Sequence, residues 1–239
     1  MSSPQRYSKG VTNVDSSKTM GQLIVPDPTS VQVFMDDFMK FVPGDWFITR
    51  THAGSTSGAE TIGDATGGVL AFYPANADDD NTFFQYKATP NVTTASEIFT
   101  LESTKKLWFK ARLKVSDTGD SDFFIGLQSA DTTPLTAPVD AVWWKSDDGD
   151  DYLDFGMYAA SVSTLSETAI ATIVDDTYFT VGFYWDGVDT IQYFYNDVIQ
   201  GSSTATYPTA AMTVSFGVQN GSAAARTMSV DYIAVIKEH

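Results

Sequence analysis

From Leu107 to Val115 apolar and polar side chains alternate almost without a break. Leu107, Phe109, Ala111, Leu113 and Val115 share one parity, and Lys110, Arg112 and Lys114 share the other. Successive side chains of a β-strand point to opposite faces, so the segment predicts a strand with one face on a core and the other in water. Met212, Val214, Phe216 and Val218 alternate with Thr213, Ser215, Gly217 and Gln219 in the same way. Shorter candidates are Val31 to Phe38, Trp46 to Arg50, Gly68 to Tyr73, Thr82 to Tyr86, Ser96 to Leu101, Val142 to Lys145, Tyr152 to Tyr158, Thr168 to Val174 and Ser229 to Lys237. The Gly/Asp-rich stretch Ser116 to Asp122 predicts an antiparallel hairpin between the Leu107 strand and Phe123 to Gln128. Asp186-Gly187 and Asn196-Asp197 tolerate positive φ, so Tyr178 to Trp185, Ile191 to Tyr195 and Val198 to Gln200 read as a three-stranded meander. Thr51 to Gly68 is rich in Gly, Ser and Thr and reads as a long loop. No segment of helical period competes. The chain is predicted to be all-β, a two-sheet antiparallel sandwich over residues 31–239.

Residues 1–30 differ. They are rich in Ser, Thr, Gly and Pro and end in Pro26-Asp27-Pro28, which fixes φ and denies a ladder its donors. This reads as an extended N-terminal arm, either a solvated tail or a segment ordered against a partner. Its basic residues Arg6, Lys9 and Lys18, inside a very acidic protein, favour the second. Arg6, Tyr7, Val11, Val14, Leu23, Ile24 and Val25 are its candidate partner-binding residues.

Charge narrows the partners. Fourteen basic against 30 acidic side chains give a net charge of -16, which disfavours any direct nucleic-acid partner. There is no cysteine, so disulfides and thiolate metal sites are excluded. The first ten residues lack the apolar region of a secretory signal, and no apolar run approaches a membrane span, so the chain is expected to be made in the cytoplasm without membrane insertion.

Three features together resemble the concanavalin A-like lectin/glucanase (laminin-G-like) jelly roll in the form common on tailed-phage particles. They are Met35-Asp-Asp-Phe38 with Trp46 shortly after, Leu107-Trp-Phe109 leading its strand, and Val230-Asp-Tyr-Ile-Ala-Val235 at the end. Gly10 to Val14, Met20 to Leu23 and Pro26 to Pro28 also resemble the start of virion proteins of tailed phages. The resemblance implies a jelly-roll topology and a place in a virion, with the major capsid protein or other virion proteins as partners.

Family members that hydrolyse glycans carry Glu-x-Asp-x-Glu on one strand, which puts two glutamates on one face across a sugar. The nearest stretch here is Asp150-Asp-Tyr-Leu-Asp154, where Tyr152 replaces the central acid, and Glu60, Glu97, Glu102, Glu167 and Glu238 fall nowhere in that pattern. No catalytic residues are expected, and no Gly-x-Ser-x-Gly elbow or phosphate loop is present. Two acidic clusters could hold a structural calcium, one with Asp78 and Asp80 and one with Asp147, Asp148 and Asp150, although Asp and Gly are also what turns are made of. Of the adjacent Trp143 and Trp144 one must face the core, and Trp144 with Tyr152 and Tyr158 is the candidate platform for surface polysaccharide.

The expected function is a non-enzymatic bacteriophage virion structural protein, a capsid decoration or cement protein docking through its arm, with self-association open. The alternatives are a glycan-binding adhesion module and a divergent glycoside hydrolase. The cationic row Lys110, Arg112 and Lys114 is expected either to keep a sheet edge soluble or to dock an acidic neighbour, the first being preferred.

Overall fold

The structure, a computed structural model, describes residues 30–53, 57–63, 67–87, 94–136 and 138–239. The arm residues Arg6, Tyr7, Val11, Val14, Leu23, Ile24 and Val25 lie outside the described residues. In chain order the strands are β1 (Val31–Asp36), β2 (Trp46–Thr51), β3 (Ala59–Gly63), β4 (Val69–Tyr73), β5 (Asn81–Tyr86), β6 (Leu107–Val115), β7 (Ser121–Gln128), β8 (Ala141–Ser146), β9 (Tyr152–Ala159), β10 (Val162–Thr172), β11 (Phe179–Trp185), β12 (Ile191–Tyr195), β13 (Val198–Ser203), β14 (Thr213–Asn220) and β15 (Met228–Glu238). They form an all-β, two-sheet antiparallel sandwich. The eight-stranded sheet runs β13-β12-β11-β6-β15-β4-β3 with β1 also on β15, and the seven-stranded sheet runs β10-β9-β8-β7-β14-β5-β2.

Parity builds the core. Leu107, Phe109, Ala111, Leu113 and Val115 of β6 are all 0% exposed, as their alternation with Lys and Arg requires. Opposite them stand Phe123, Ile125 and Leu127 of β7 and Val214, Phe216 and Val218 of β14, all fully buried. Aromatic pairs knit neighbouring strands within each layer, and Phe72 of β4 meets Phe84 of β5 across the layers at 4.6 Å. Phe109 stacks on Phe183 at 4.9 Å, Phe84 stacks on Phe216 at 5.1 Å, and the Trp185 indole N–H donates to the Glu102 carbonyl at 2.9 Å.

Several expectations change. β6 and β7 do not form a hairpin, because β6 lies between β11 and β15 while β7 lies between β14 and β8 in the other sheet. A Gly/Asp turn serves a crossover between sheets as well as a tight reversal, so the turn signal did not decide the partner. β3 lies inside the expected loop, where Ala59–Gly63 adds to β4. Ser96 to Leu101 contributes only an isolated bridge, Phe99 to Met212, although Phe99 and Leu101 are buried. β10 starts at Val162 rather than Thr168, since Ala160 (φ 51°) and Ser161 (φ 66°) make a left-handed reversal without glycine. The meander β11–β12–β13 forms as expected, turning on Asn196 (φ 48°) and Asp197 (φ 63°).

The cationic row of β6 is not an edge guard. The strand is central, and each cation is paired within the chain. Lys110 meets Asp197 at 2.6 Å, Arg112 meets Asp231, and Lys114 meets Asp176 at 2.8 Å. Arg112 also lies 4.3 Å above the Tyr178 ring.

Candidate functional site

The outer face of the seven-stranded sheet, turned away from the core between the sheets, is the candidate site, because it gathers side chains from six neighbouring strands. Register defines its rows. One row is Thr49, Phe83, Gly217, Phe124, Lys145 and Asp154, from β2 to β9. The next is Phe47, Gln85, Ser215, Gly126, Trp143 and Gly156. Ala141 and Tyr158 follow on β8 and β9.

Glycines in these rows lie close against neighbouring aromatic residues, Gly217 against the Phe83 ring and Gly156 against the Trp143 indole. A Cβ on Gly126 would stand 2.3 Å from the Val142 carbonyl and 2.7 Å from the Trp143 Cα, and one on Gly217 would stand 2.5 Å from the Phe83 ring. The missing side chains let neighbouring strands and rings close over the backbone. Phe83, Phe124, Ala141 and Trp143 form a buried cluster of their own, with Leu135 and Tyr158 packed against it. Trp143 is only 2% exposed, set edge-on to Tyr158 at 5.9 Å. The segment after β7 covers one end. Gln128 Nε2 donates to the Pro134 carbonyl at 2.7 Å, and the Asp131 N–H donates to Gln85 Oε1 at 2.9 Å. Gln85 Nε2 donates to Ser129 O and Ser215 Oγ, both at 3.1 Å.

This overturns the expectation for Trp144. It is 0% exposed, its ring lies 5.2 Å from Phe155 between the sheets, and its N–H donates to the Gly182 carbonyl at 3.2 Å. A sugar cannot reach it. Parity explains the error: Trp144 shares the face of Val142, which pairs with the core residue Leu127. Tyr152 is 43% exposed and Tyr158 half-buried, and they sit at opposite ends of β9. The three do not make one platform. Trp143, Phe83 and Phe124 are the residues the sequence argument missed. Alternation with Phe123, Ile125 and Leu127 could have placed Phe124 outside the core.

Two carboxylates remain on the face, Asp122 of β7 and Asp154 of β9. Burial raises both above the ordinary aspartate range, opposed by backbone N–H donors from Asp148 and Ala169 respectively. β8 lies between them and they are one row apart, so two strand spacings and one row put their backbones roughly 12 Å from each other. Carboxylates flanking a glycosidic bond stand about 5 to 9.5 Å apart. No glutamate lies in β2, β5, β7, β8, β9 or β14. Asp150 precedes β9 and accepts the Tyr152 N–H at 2.9 Å, so it shares no strand face with Asp154.

The calcium candidates are likewise dispersed. Asp80 is fully buried and accepts the backbone N–H groups of Ala53 and Ala77. Asp147 pairs with Lys145, the Asp148 N–H donates to Asp122 Oδ1, and Asp78 stands apart on an exposed turn. Among the described residues no three acidic or histidine side chains converge on a metal-sized point. A family calcium does not fit this donor set, because these acids hold turns. His52 and His239 are exposed and far apart in sequence.

One open cleft of about 260 Å³ lies at the rim of this outer face, lined by Phe47, Thr94, Ala95, Ala130, Asp131 and Thr132.

No protein-family model and no curated protein sequence matches the chain. Solved structures do. A protein of unknown function from Shewanella oneidensis MR-1 is 17% identical, with 87% of each chain covered and a TM-score of 0.57. A Bacillus licheniformis β-glucanase is 13% identical over 85% of this chain and 97% of its own, with a TM-score of 0.55. A prokaryotic β-1,3-1,4-glucanase (lichenase) from a mouse hindgut metagenome is 12% identical over 85% and 98%, with a TM-score of 0.58. At these identities the likeness is one of fold.

Proposed function

The chain has the concanavalin A-like lectin/glucanase jelly-roll fold, and we propose that it uses that fold without chemistry, as a structural protein of a bacteriophage particle. The reading is a capsid decoration or cement protein whose residues 1–30 engage other virion proteins, the major capsid protein first among them. One observation carries the non-enzymatic part. The face of the seven-stranded sheet holds packed hydrocarbon, Phe83, Phe124 and Trp143, and the strands β2, β5, β7, β8, β9 and β14 that build it carry no glutamate of a Glu-x-Asp-x-Glu pattern. The phage assignment rests on the sequence resemblance of Gly10 to Val14, Met20 to Leu23 and Pro26 to Pro28 to virion proteins. Deleting residues 1–30 is expected to abolish incorporation into particles, measured by mass spectrometry of purified virions, while circular dichroism shows an intact sandwich. Normal incorporation of the deleted protein refutes this reading.

The cleft at Phe47, Thr94 and Asp131 favours a second reading, a glycan-binding module, since an aromatic beside hydroxyls and a carboxylate suits a sugar ring. A glycan array separates the two. Binding that Phe47→Ala abolishes supports the second reading, and a blank array removes it.

A further inference from the structure

The outer face of the eight-stranded sheet is unusual for so acidic a protein. Register aligns Val33 of β1, Ile236 of β15, Trp108 of β6 and Tyr184 of β11 in one row. It aligns Met35, Ala234, Lys110, Gly182, Phe194 and Ile199, from β1 to β13, in the next. Val33 is 48% exposed, Met35 56% and Ile199 51%, and Trp108, Tyr184 and Ile236 are half-buried. The cation in this strip, Lys110, is neutralised by Asp197. Ala234, Lys110 and Phe194 lie buried in the second row, so the accessible apolar band is Val33, Met35, Ile236, Trp108 and Tyr184 across the four strands β1, β15, β6 and β11, a length of about 14 Å and an area of roughly 200 Å².

That area is well below the roughly 800 Å² per partner of a stable globular interface. It suits an extended peptide bearing a few apolar side chains. The chain supplies one: Leu23-Ile24-Val25, the longest uninterrupted aliphatic run in the 29 residues that precede Ser30. Those 29 residues carry Arg6, Lys9 and Lys18 against Asp15 and Asp27, so the acid excess belongs wholly to the sandwich. Charge draws the segment toward a sandwich. It does not favour its own. Val25 is five residues from Ser30, a reach of at most about 17 Å, and Pro26 and Pro28 fix φ and bias Val25 and Asp27 to extended backbone. A return over the strip needs a sharp reversal in those very residues.

We propose that the strip Val33–Met35–Ile236–Trp108–Tyr184 is the receptor for Leu23–Val25 of a second copy of this chain. The arrangement is head-to-tail, with each copy giving a strap and receiving one. It rests on the reading of residues 1–30 as a docking arm and adds a like-to-like contact, leaving residues upstream of Leu23 for the particle. The absence of cysteine makes the test direct. Two full-length variants, Ile24→Cys and Met35→Cys, are mixed at equal concentration and mildly oxidised. The expected product is the mixed 24–35 disulfide dimer, and the Ile24→Cys, Met35→Cys double variant gives a ladder of linked oligomers. Products dominated by 35–35 links, a purely intrachain link in the double variant, or no cross-link all overturn the proposal. Met35→Asp, at an exposed position with an unchanged melting temperature, lowers self-association measured by ultracentrifugation about tenfold, and unchanged association also overturns it. Because no particle is present, a negative result here is distinguishable from failed incorporation into virions.

Discussion

Replacing Trp144 by alanine tests a tryptophan held between the two sheets against one buried in the smaller cluster on the outer face. Its indole is 0% exposed, 5.2 Å from the Phe155 ring and 6.1 Å from Tyr193, with its N–H on the Gly182 carbonyl at 3.2 Å. A buried aromatic of this size removes about 200 Å² from water, worth about 5 kcal/mol at 25 cal/mol/Å² and somewhat less against a compact unfolded chain. Sheets on both sides restrain collapse, so a cavity persists and Trp144→Ala is expected to cost about 4 kcal/mol. At about 2–4 °C per kcal/mol for a chain of this size, the melting temperature falls by roughly 8–16 °C. Trp143 is the internal control. Its ring lies over Gly156 in the smaller cluster of Phe83 and Phe124, covered by Leu135 and Tyr158 but by no second sheet, so the site can collapse further and Trp143→Ala costs about 3 kcal/mol. Urea unfolding followed by far-UV circular dichroism measures both, independently of the tryptophan signal being removed. A cost for Trp144→Ala below about 1 kcal/mol, or below that of Trp143→Ala, refutes the placement of the two rings.

Three further outcomes follow from the same geometry. Gly126→Ala forces a Cβ to within 2.3 Å of backbone on β8 and is expected to destabilise by about 3 kcal/mol or to prevent folding; native-like urea stability would show that the strands can separate there. Asp122 has its carboxyl raised above 3.8 by burial, so its ionisation opposes folding at neutral pH, and the penalty disappears once pH falls below the unfolded value. Asp122→Asn, which keeps an acceptor for the Asp148 N–H, should therefore stabilise at pH 7 and converge with the parent in melting scans below about pH 4. Glu102 behaves oppositely: donors from Lys237 and Thr100 lower it from 4.5 to about 2, so its contribution is present above pH 4.5 and lost as pH falls toward 2. It is solvent-exposed, which limits Glu102→Gln to under about 1 kcal/mol at pH 7, and a deficit persisting at pH 2 would show that packing rather than charge is responsible.

The alternation in β6 and β14 fixed which side chains enter the core between the sheets, because period two is a property of the backbone; Lys110, Thr213 and Ser215, of the other parity, are buried on the outer faces instead. Neighbour identity was less legible. Ser116 to Asp122 looks like a hairpin turn and is a crossover, since pairing of β6 with β11 and β15 is decided by residues far away in sequence. β3 was lost because Ala59–Gly63 is short and carries Glu60, whose partner Arg50 lies on β2 of the other sheet. At the candidate site the choice between Trp143 and Trp144 was one of parity, readable only once β7 and β8 are placed in register. The acidic loops were overread, because a carboxylate capping a turn and one awaiting a cation have the same composition.

β15 has β6 on one side and shares its other side between β4 and β1. It is the last strand in chain order, yet the eight-stranded sheet has no continuity without it. During synthesis β6, β11, β12 and β13 can assemble as one block, while β1 and the β3–β4 hairpin wait for a partner more than a hundred residues downstream. Folding is therefore expected to close in a single late step as Met228–Glu238 inserts, which makes it slow and sensitive to C-terminal truncation. Until that insertion the flank of β6 stands open as an unpaired edge, so nascent chains rather than finished ones carry the greater hazard of aggregation.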